Sequence, residues 1–127
     1  MKRIIVTLIA LMVLSVTACS SFDSPSTVVK NFYRQIETGK VNDAYDLITK
    51  EGKEMLQQYG GGVALLSDQT RKIKGKGGIK VISIRSEDIT GDTAKVAFTL
   101  TYGNGTTKND SEELIKEKGV WRITVSK

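Results

Sequence analysis

The side chains that could carry acid–base chemistry in this sequence are a few aspartates with tyrosines near them. An acid–base enzyme needs a carboxylate whose pKa is raised by burial, next to a donor such as a tyrosine hydroxyl. Asp43 and Asp46, with Tyr33 or Tyr45, are the candidates for this role. Both aspartates also fall where a helix start and a polar helix face would place them in any case. The chain has no histidine, the commonest general base, and we predict no catalytic residue.

Metal and cofactor sites are not predicted either. Glu112 and Glu113 are neighbours in a predicted strand, so they point to opposite faces and would not hold a metal together. The glycine clusters at 60–62 and 75–78 lack the Gly-Lys-Ser/Thr ending of a phosphate loop, and neither follows a strand and opens a helix. We expect a hinge and a helix end at these positions.

Cys19 is the only cysteine of the chain, and the residues before it have the pattern of an export signal. Lys2 and Arg3 form a short positive end, and an apolar run follows over Ile4–Val16. This run is shorter than the roughly 20 apolar residues that a permanent membrane span needs. It ends at a small-residue site in the sequence Val-Thr-Ala-Cys.

This site resembles the lipobox of bacterial lipoproteins. The resemblance implies that Cys19 receives a diacylglyceryl group, that cleavage follows Ala18, and that further acylation such as palmitate is common. We therefore expect a signal peptide over 1–18, a lipidated Cys19 with a tether over 19–24, and one domain over 25–127. Ser20 implies the periplasmic face of the outer membrane if the organism is Gram-negative. An uncleaved anchor or an ordinary secretory signal is the alternative.

The charge of the mature chain is only weakly positive. The sequence has 19 basic and 14 acidic side chains, and removal of Lys2 and Arg3 leaves 17 against 14. A balance of this kind does not indicate nucleic acid as a partner. One basic cluster could rest on anionic lipid headgroups or be a solvated helix face, and it consists of Arg71, Lys72, Lys74, Lys76 and Lys80.

Helical patterns fill the first half of the mature chain. Ser24 is the predicted N-cap of a helix that starts at Pro25 and ends near Gly39. Asn42 is the predicted cap of a short second helix, and a third is predicted over Lys50–Tyr59. The apolar spacing of a fourth helix is given by Val63, Leu66, Thr70 and Ile73.

Strand patterns fill the second half. A β-branched run over Ile79–Glu87 is followed by strict alternation over Ala94–Tyr102, which is typical of a half-buried strand. Two further strands are predicted over Thr106–Glu117 and Val120–Val125, joined by glycine turns. This order predicts an α+β fold, with N-terminal helices packed on a curved antiparallel four-strand meander.

Several motifs of the chain resemble small bacterial lipoproteins of the nuclear transport factor 2-like superfamily. These are Phe32-Tyr33 in the first helix, Gly39-Lys40 before Asn42-Asp43-Ala44-Tyr45, the segment over 75–79 and the terminal run over 119–123. The resemblance covers residues 25–126. It implies a cystatin-like fold and a lumazine-binding-like family of unknown function. Enzymatic members place His, Asp or Tyr in a cone between helices and sheet, and this chain has no histidine to match them.

The cone is the expected ligand site of such a fold. The residues expected to line it are Tyr33, Phe98, Leu100, Tyr102 and Trp121, although aromatic residues at strand spacing could equally be core. We therefore predict an envelope lipoprotein, anchored through Cys19, that binds a protein partner or a small apolar ligand. A cone-pocket isomerase or dehydratase is the alternative function.

Overall fold

Helices precede strands along the chain, as the sequence predicts. The structure is a computed structural model that describes residues 23–125. The helices are α1 (Pro25–Glu37), α2 (Val41–Asp46), α3 (Lys50–Gln58) and α4 (Gly62–Gly75), and the strands are β1 (Ile79–Thr90), β2 (Thr93–Tyr102), β3 (Thr107–Glu117) and β4 (Val120–Ile123). The predicted α+β layout is confirmed.

The four strands form one antiparallel sheet in the order β1-β2-β3-β4. The pairing of β1 with β2 shifts register between Ile79 and Val81 and again between Ile84 and Ser86. Irregularities of this kind bend a strand and increase its twist. The sheet is therefore curved, and its concave face receives the helices.

The first helix begins as predicted. The Ser24 side chain accepts a hydrogen bond from the Thr27 N–H, and Pro25 occupies the first turn, where the missing N–H of proline has no helical partner to lose. The prediction that Asn42 caps α2 is wrong. The cap is Lys40, because the α1–α2 turn pairs the Lys40 N–H with the Gln35 carbonyl, and the Ala44 N–H already bonds to Lys40.

The core lies between the helices and the concave sheet face. All five inward residues of β2 are buried, so the predicted alternation is confirmed; they are Ala94, Val96, Phe98, Leu100 and Tyr102. They pack against Val29, Phe32 and Ile36 of α1 and against Leu66 and Ile73 of α4.

Two apolar residues near the α3–α4 turn do not face the core, and one of them, Val63, belongs to the predicted apolar spacing of the fourth helix. Tyr59 is 64% exposed and Val63 is 39% exposed. The turn at Gly60 and Gly61, both with positive φ, separates α3 from α4. Gly62 then lies directly against the Tyr45 ring. The first residue of α4 that packs on α2 is therefore Gly62, and not Val63.

The short strand β4 is covered on its outer side by the α2–α3 connection. The Thr49 N–H donates to the Ile123 carbonyl at 2.9 Å, and the Ile123 N–H donates to the Leu47 carbonyl at 2.8 Å. Ile48 and Ile123 thereby form a parallel bridge. Within residues 23–125, no helix has both the length and the apolarity that a membrane span requires.

Candidate ligand-binding cleft

Strand β3 presents charged side chains to the concave face of the sheet. Its pairing with β2 sets Glu112 opposite Val96, Asp110 opposite Phe98 and Lys108 opposite Leu100. Residues directly opposite each other in a sheet lie on the same face. Because these three β2 residues are buried in the core, the three charged β3 residues point towards the helices.

Glu112 is held by a tyrosine of α1. The Tyr33 hydroxyl donates a hydrogen bond of 2.7 Å to Glu112 Oε1. The Tyr33 ring lies 5.0 Å from the Phe98 ring and 5.3 Å from the Phe32 ring, centroid to centroid. Such aromatic contacts favour one ring orientation, so the hydroxyl is aimed at the carboxylate before any ligand arrives.

Burial changes the proton affinity of both partners. It raises the pKa of Glu112 from 4.5 to about 6, and the Asp110 charge acts in the same direction, while the hydrogen bond from Tyr33 opposes the change. Burial also raises the pKa of Tyr33 well above its ordinary value, and the Glu112 charge adds to this effect. Tyr33 therefore remains a proton donor in its hydrogen bond throughout the neutral range.

Two adjoining openings lie beside this pair. They are bounded by α1, α4 and the part of the concave face that β2 and β3 form. The first has a volume of about 250 Å³, with apolar walls that include Phe32, Leu66 and Leu100, and it reaches Tyr33 and Lys108. The second, of about 260 Å³, shares Tyr102 and Lys108 with the first and extends towards Lys72 and Lys76. We call these two openings together the α4 cleft.

A third opening continues the concave surface on the other side of Phe32 and Leu66. Its volume is about 330 Å³, and it is lined by Asp110 and Glu112 together with apolar residues of α3 and β4. The polar character of the concave face thus changes along its length. Lysines lie at the α4 end, and carboxylates lie at the β4 end.

The lysine end of the cleft is fixed by a close crossing of two loops. The Asn104 N–H donates to the Lys76 carbonyl, and the Gly103 N–H donates to the Gly78 carbonyl, both at 2.9 Å. A Cβ atom on Gly103 would lie 2.1 Å from the Gly77 carbonyl oxygen. Only glycine permits this approach, which fixes the backbone at Lys76. Lys76 Nζ lies 4.6 Å from the centre of the Tyr102 ring.

The predicted pocket residues divide into two groups. Tyr33, Leu100 and Tyr102 line the α4 cleft. Leu100 and Tyr102 also belong to the buried core, whereas Phe98 and Trp121 belong to the core and do not line the cleft, which is the alternative that the sequence left open. The Lys116 ammonium lies 5.3 Å from the centre of the Trp121 ring.

The carboxylates singled out from the sequence are not in the cleft. Asp43 is exposed, and Asp46 is exposed as well and pairs with Lys53 at 3.7 Å. The inward carboxylates Asp110 and Glu112 were missed as site residues. Their signal was the alternation Lys108, Asp110, Glu112, Leu114, in which the buried Leu114 marks the inward face.

The remaining predictions concern Cys19, the basic cluster and metal sites. Cys19 and the signal segment over 1–18 lie outside the described residues. Of the predicted basic cluster, Lys72 and Lys76 line the cleft, while Arg71 and Lys72 also pair with Asp68. Within residues 23–125, no group of three or more Cys, Asp or Glu side chains is placed to hold a metal.

Comparisons with known proteins identify the fold. The family described as "Domain of unknown function (DUF4878)" matches residues 18–124. A protein of Campylobacter jejuni, provisionally named an NTF2-like transpeptidase, has a similar structure: the TM-score is 0.69, the identity is 21%, and the match covers 82% of this chain and 100% of that one.

A SEC-C motif containing protein from Rhodopseudomonas palustris is also similar. Its TM-score is 0.58 at 13% identity, and the match covers 80% of this chain and 76% of that one. No curated protein sequence matches the chain significantly. At these identities the structural likeness establishes an NTF2-like fold and does not extend to activity.

Proposed function

The chain belongs to the DUF4878 family of domains of unknown function, and from its NTF2-like fold and its cleft we propose that it is a lipid-anchored envelope protein that binds a small ligand. The observation that carries the binding part of this proposal is the Tyr33–Glu112 hydrogen bond of 2.7 Å beside an apolar cleft, and the sequence before Cys19 supports the anchor. The domain does not need to transform the ligand in order to perform this function.

The make-up of the cleft supports a binding role. Small-molecule sites are concave, mostly apolar and equipped with a few convergent polar groups. Here Phe32, Leu66 and Leu100 supply apolar walls, and Tyr33 and Lys108 supply polar groups. Each of the two openings has a volume of about 250 to 260 Å³, below the roughly 300–1,000 Å³ of drug-sized sites, so a ligand that fills one of them is small.

The proposed anchor is the lipid on Cys19. Two or three acyl chains, each stabilised by about 0.8 kcal/mol per buried methylene, hold a protein at a membrane almost permanently. A tether of about five residues reaches at most about 18 Å. The cleft would therefore operate close to the lipid surface, at the periplasmic face of the outer membrane in a Gram-negative cell.

Methyl NMR of the full-length chain in phosphatidylcholine nanodiscs tests the binding function. The probes are octanoate and the neutral 1-octanol, and empty nanodiscs correct for partitioning into lipid. We expect saturable shifts of the Leu66 and Leu100 methyl signals, which report on the α4 cleft. Signals of Ile89 and Ile115, which are exposed outside it, should not move. If neither probe shifts the cleft signals, the binding proposal fails.

A second candidate function is proton-transfer catalysis of the isomerase or dehydratase type. The observation that favours it is the inward Glu112, whose raised pKa of about 6 lies in the range useful for a general base. Cyclohexanone in deuterium oxide provides a test, because Glu112, acting as a base in the third opening, would catalyse exchange of the α-hydrogens of the ketone. Catalysed exchange that disappears in Glu112→Gln would support an enzyme, and exchange equal to that of buffer would support a binding protein.

A further inference from the structure

Three lysines from two different parts of the chain converge on one end of the α4 cleft. Lys72 and Lys76 come from α4 and the loop after it, and Lys108 comes from β3. Lysines near the C-terminal end of a helix are favoured by the helix dipole alone. The helix dipole does not explain Lys108, because this residue lies on a strand, on the concave face of the sheet, with its side chain 55% exposed.

The ion pairs of these lysines do not neutralise all of the positive charge at this end of the cleft. Lys108 Nζ lies 3.4 Å from Asp110 Oδ2, and Lys72 Nζ lies 3.3 Å from Asp68 Oδ2, a carboxylate that also binds Arg71. Among residues 23–125, Lys76 forms no ion pair with a carboxylate. Its ammonium instead lies over the Tyr102 ring, and the loop crossing at Gly103 fixes its backbone.

We propose that the α4 cleft binds a small anionic amphiphile, whose acidic head lies between Lys72, Lys76 and Lys108 and whose apolar body lies on Phe32, Leu66 and Leu100. This inference rests on the proposed binding function and names the class of ligand. A carboxylate or phosphate head group is the natural partner of clustered ammonium groups.

The charge distribution along the concave face fixes the direction of the ligand. Asp110 and Glu112 line the opening beyond Phe32 and Leu66. Asp110 is paired with Lys108, so it is the negative charge of Glu112 that repels an acidic head from that end. The head therefore faces the α4 end, and the apolar body extends towards the Tyr33–Glu112 pair. A cationic amphiphile would find the opposite arrangement and should bind more weakly in the α4 cleft.

The same head-group chemistry could come from a free amphiphile or from an anionic lipid of the membrane. A lipid surface attracts basic side chains by charge, at about 1 kcal/mol for each one near the surface. In that case every exposed lysine of α4 would contribute similarly. Binding inside the cleft would instead depend on Lys76, which lines the cleft, and not on Lys74, which does not line it.

The experiment compares octanoate, 1-octanol and octylammonium on the full-length chain in phosphatidylcholine nanodiscs, with the Leu66 and Leu100 methyl signals as the readout. We expect octanoate to bind at least tenfold more tightly than 1-octanol. Lys76→Gln and Lys108→Gln should each weaken octanoate binding about fivefold or more, because each removes a charged partner of the head group. Lys74→Gln, the matched control two residues before Lys76, should change binding less than twofold.

A second set of nanodiscs that contain phosphatidylglycerol identifies the source of the head group. Shifts of the cleft signals on addition of this lipid, lost in Lys76→Gln and kept in Lys74→Gln, would assign the head group to a lipid. No shift, with octanoate binding retained, would assign it to a free amphiphile.

Two results overturn the assignment of ligand class while the binding function stands. One is equal affinity for 1-octanol and octanoate, or tighter binding of octylammonium. The other is an equal loss of octanoate affinity in Lys74→Gln and Lys76→Gln, which would indicate a diffuse surface charge. Absence of cleft shifts with all three probes would remove the binding function together with the ligand class.

Discussion

Tyr33 of α1 and Glu112 of β3 are joined by a hydrogen bond of 2.7 Å although 79 residues separate them in the sequence. The bond connects the first helix to the third strand across the concave face of the sheet. Both groups are partly withdrawn from water, so each depends on the other for a hydrogen-bonding partner. The first two predictions concern this pair.

Removal of the Tyr33 hydroxyl should destabilise the fold and make Glu112 a weaker acid. Tyr33→Phe keeps the ring packing on Phe98 and leaves the buried carboxylate without its donor, which costs about 1–3 kcal/mol in the free energy of unfolding. The pKa of Glu112 should rise, because the lost hydrogen bond had lowered it. Urea denaturation and NMR titration of the glutamate carboxyl measure the two effects.

The matched control for this pair is the neighbouring Glu113→Gln. Glu113 is exposed and lies opposite Lys95 in the strand register, on the other face of the sheet. This change should therefore alter the free energy of unfolding by less than about 0.5 kcal/mol. A Tyr33→Phe variant as stable as the wild type would contradict the importance of the bond.

Stability should depend on pH through Glu112. Its pKa is about 6 in the folded chain, against an ordinary 4.5, so between these values the folded state binds more protons than the unfolded state. The contribution of this group to folding is therefore greatest below pH 4.5 and is lost as the pH rises through 6. A shift of this size corresponds to about 2 kcal/mol.

Comparison with Glu112→Gln isolates this contribution from those of other carboxylates. The groups nearest Glu112 are Tyr33, Asp110 and Lys108, and all three remain in the variant. The difference in unfolding free energy between wild type and variant, measured from pH 4 to pH 7.5, should change by about 2 kcal/mol. A flat difference would show that Glu112 has an ordinary pKa in the folded chain.

Enlargement of Gly103 should disturb both folding and anion binding. Gly103→Ala places a methyl group 2.1 Å from the Gly77 carbonyl oxygen, and separation of the two loops should cost about 1–3 kcal/mol. Because the crossing holds Lys76, octanoate affinity should fall as well. Gly75→Ala is the control, since nothing lies within 4 Å of its added Cβ and alanine favours a helix.

Loss of the Cys19 thiol should abolish membrane anchoring by lipid. Cys19→Ser cannot accept a diacylglyceryl group, so mass spectrometry should find no lipid adduct on the variant. The wild-type protein extracted from membranes should lack residues 1–18 and carry acyl chains on Cys19. An unmodified Cys19, or retention of Met1, would contradict the proposed anchor.

The architecture could be predicted from the sequence because its signals are local. Ser24-Pro25 encodes a helix start through one capping bond, and the alternation of β2 is a period of two that only a strand satisfies. The prediction that Asn42 caps α2 was wrong because backbone hydrogen bonds around Lys40 set the α1–α2 turn. A favourable capping residue does not decide a helix start against such a turn.

The site was harder to predict because it depends on pairing between distant segments. The inward direction of Glu112 follows from the register that sets it opposite Val96, and a one-residue slip would turn it to the other face. Whether an inward side chain lines the cleft or only fills the core also depends on segments that are distant in the sequence. Phe98 and Leu100 have the same pattern in the sequence, yet only Leu100 lies beside the gap that α1 and α4 leave open.

The bridge between Ile48 and Ile123 has a consequence for self-association. The backbone groups of Leu47 and Thr49 form hydrogen bonds with those of Ile123, so another chain cannot add a strand to β4 at Ile123. The opposite border is the twelve-residue strand β1. Strand addition at β1, whether into an ordered dimer or into an aggregate, would meet two register irregularities that hinder a straight partner.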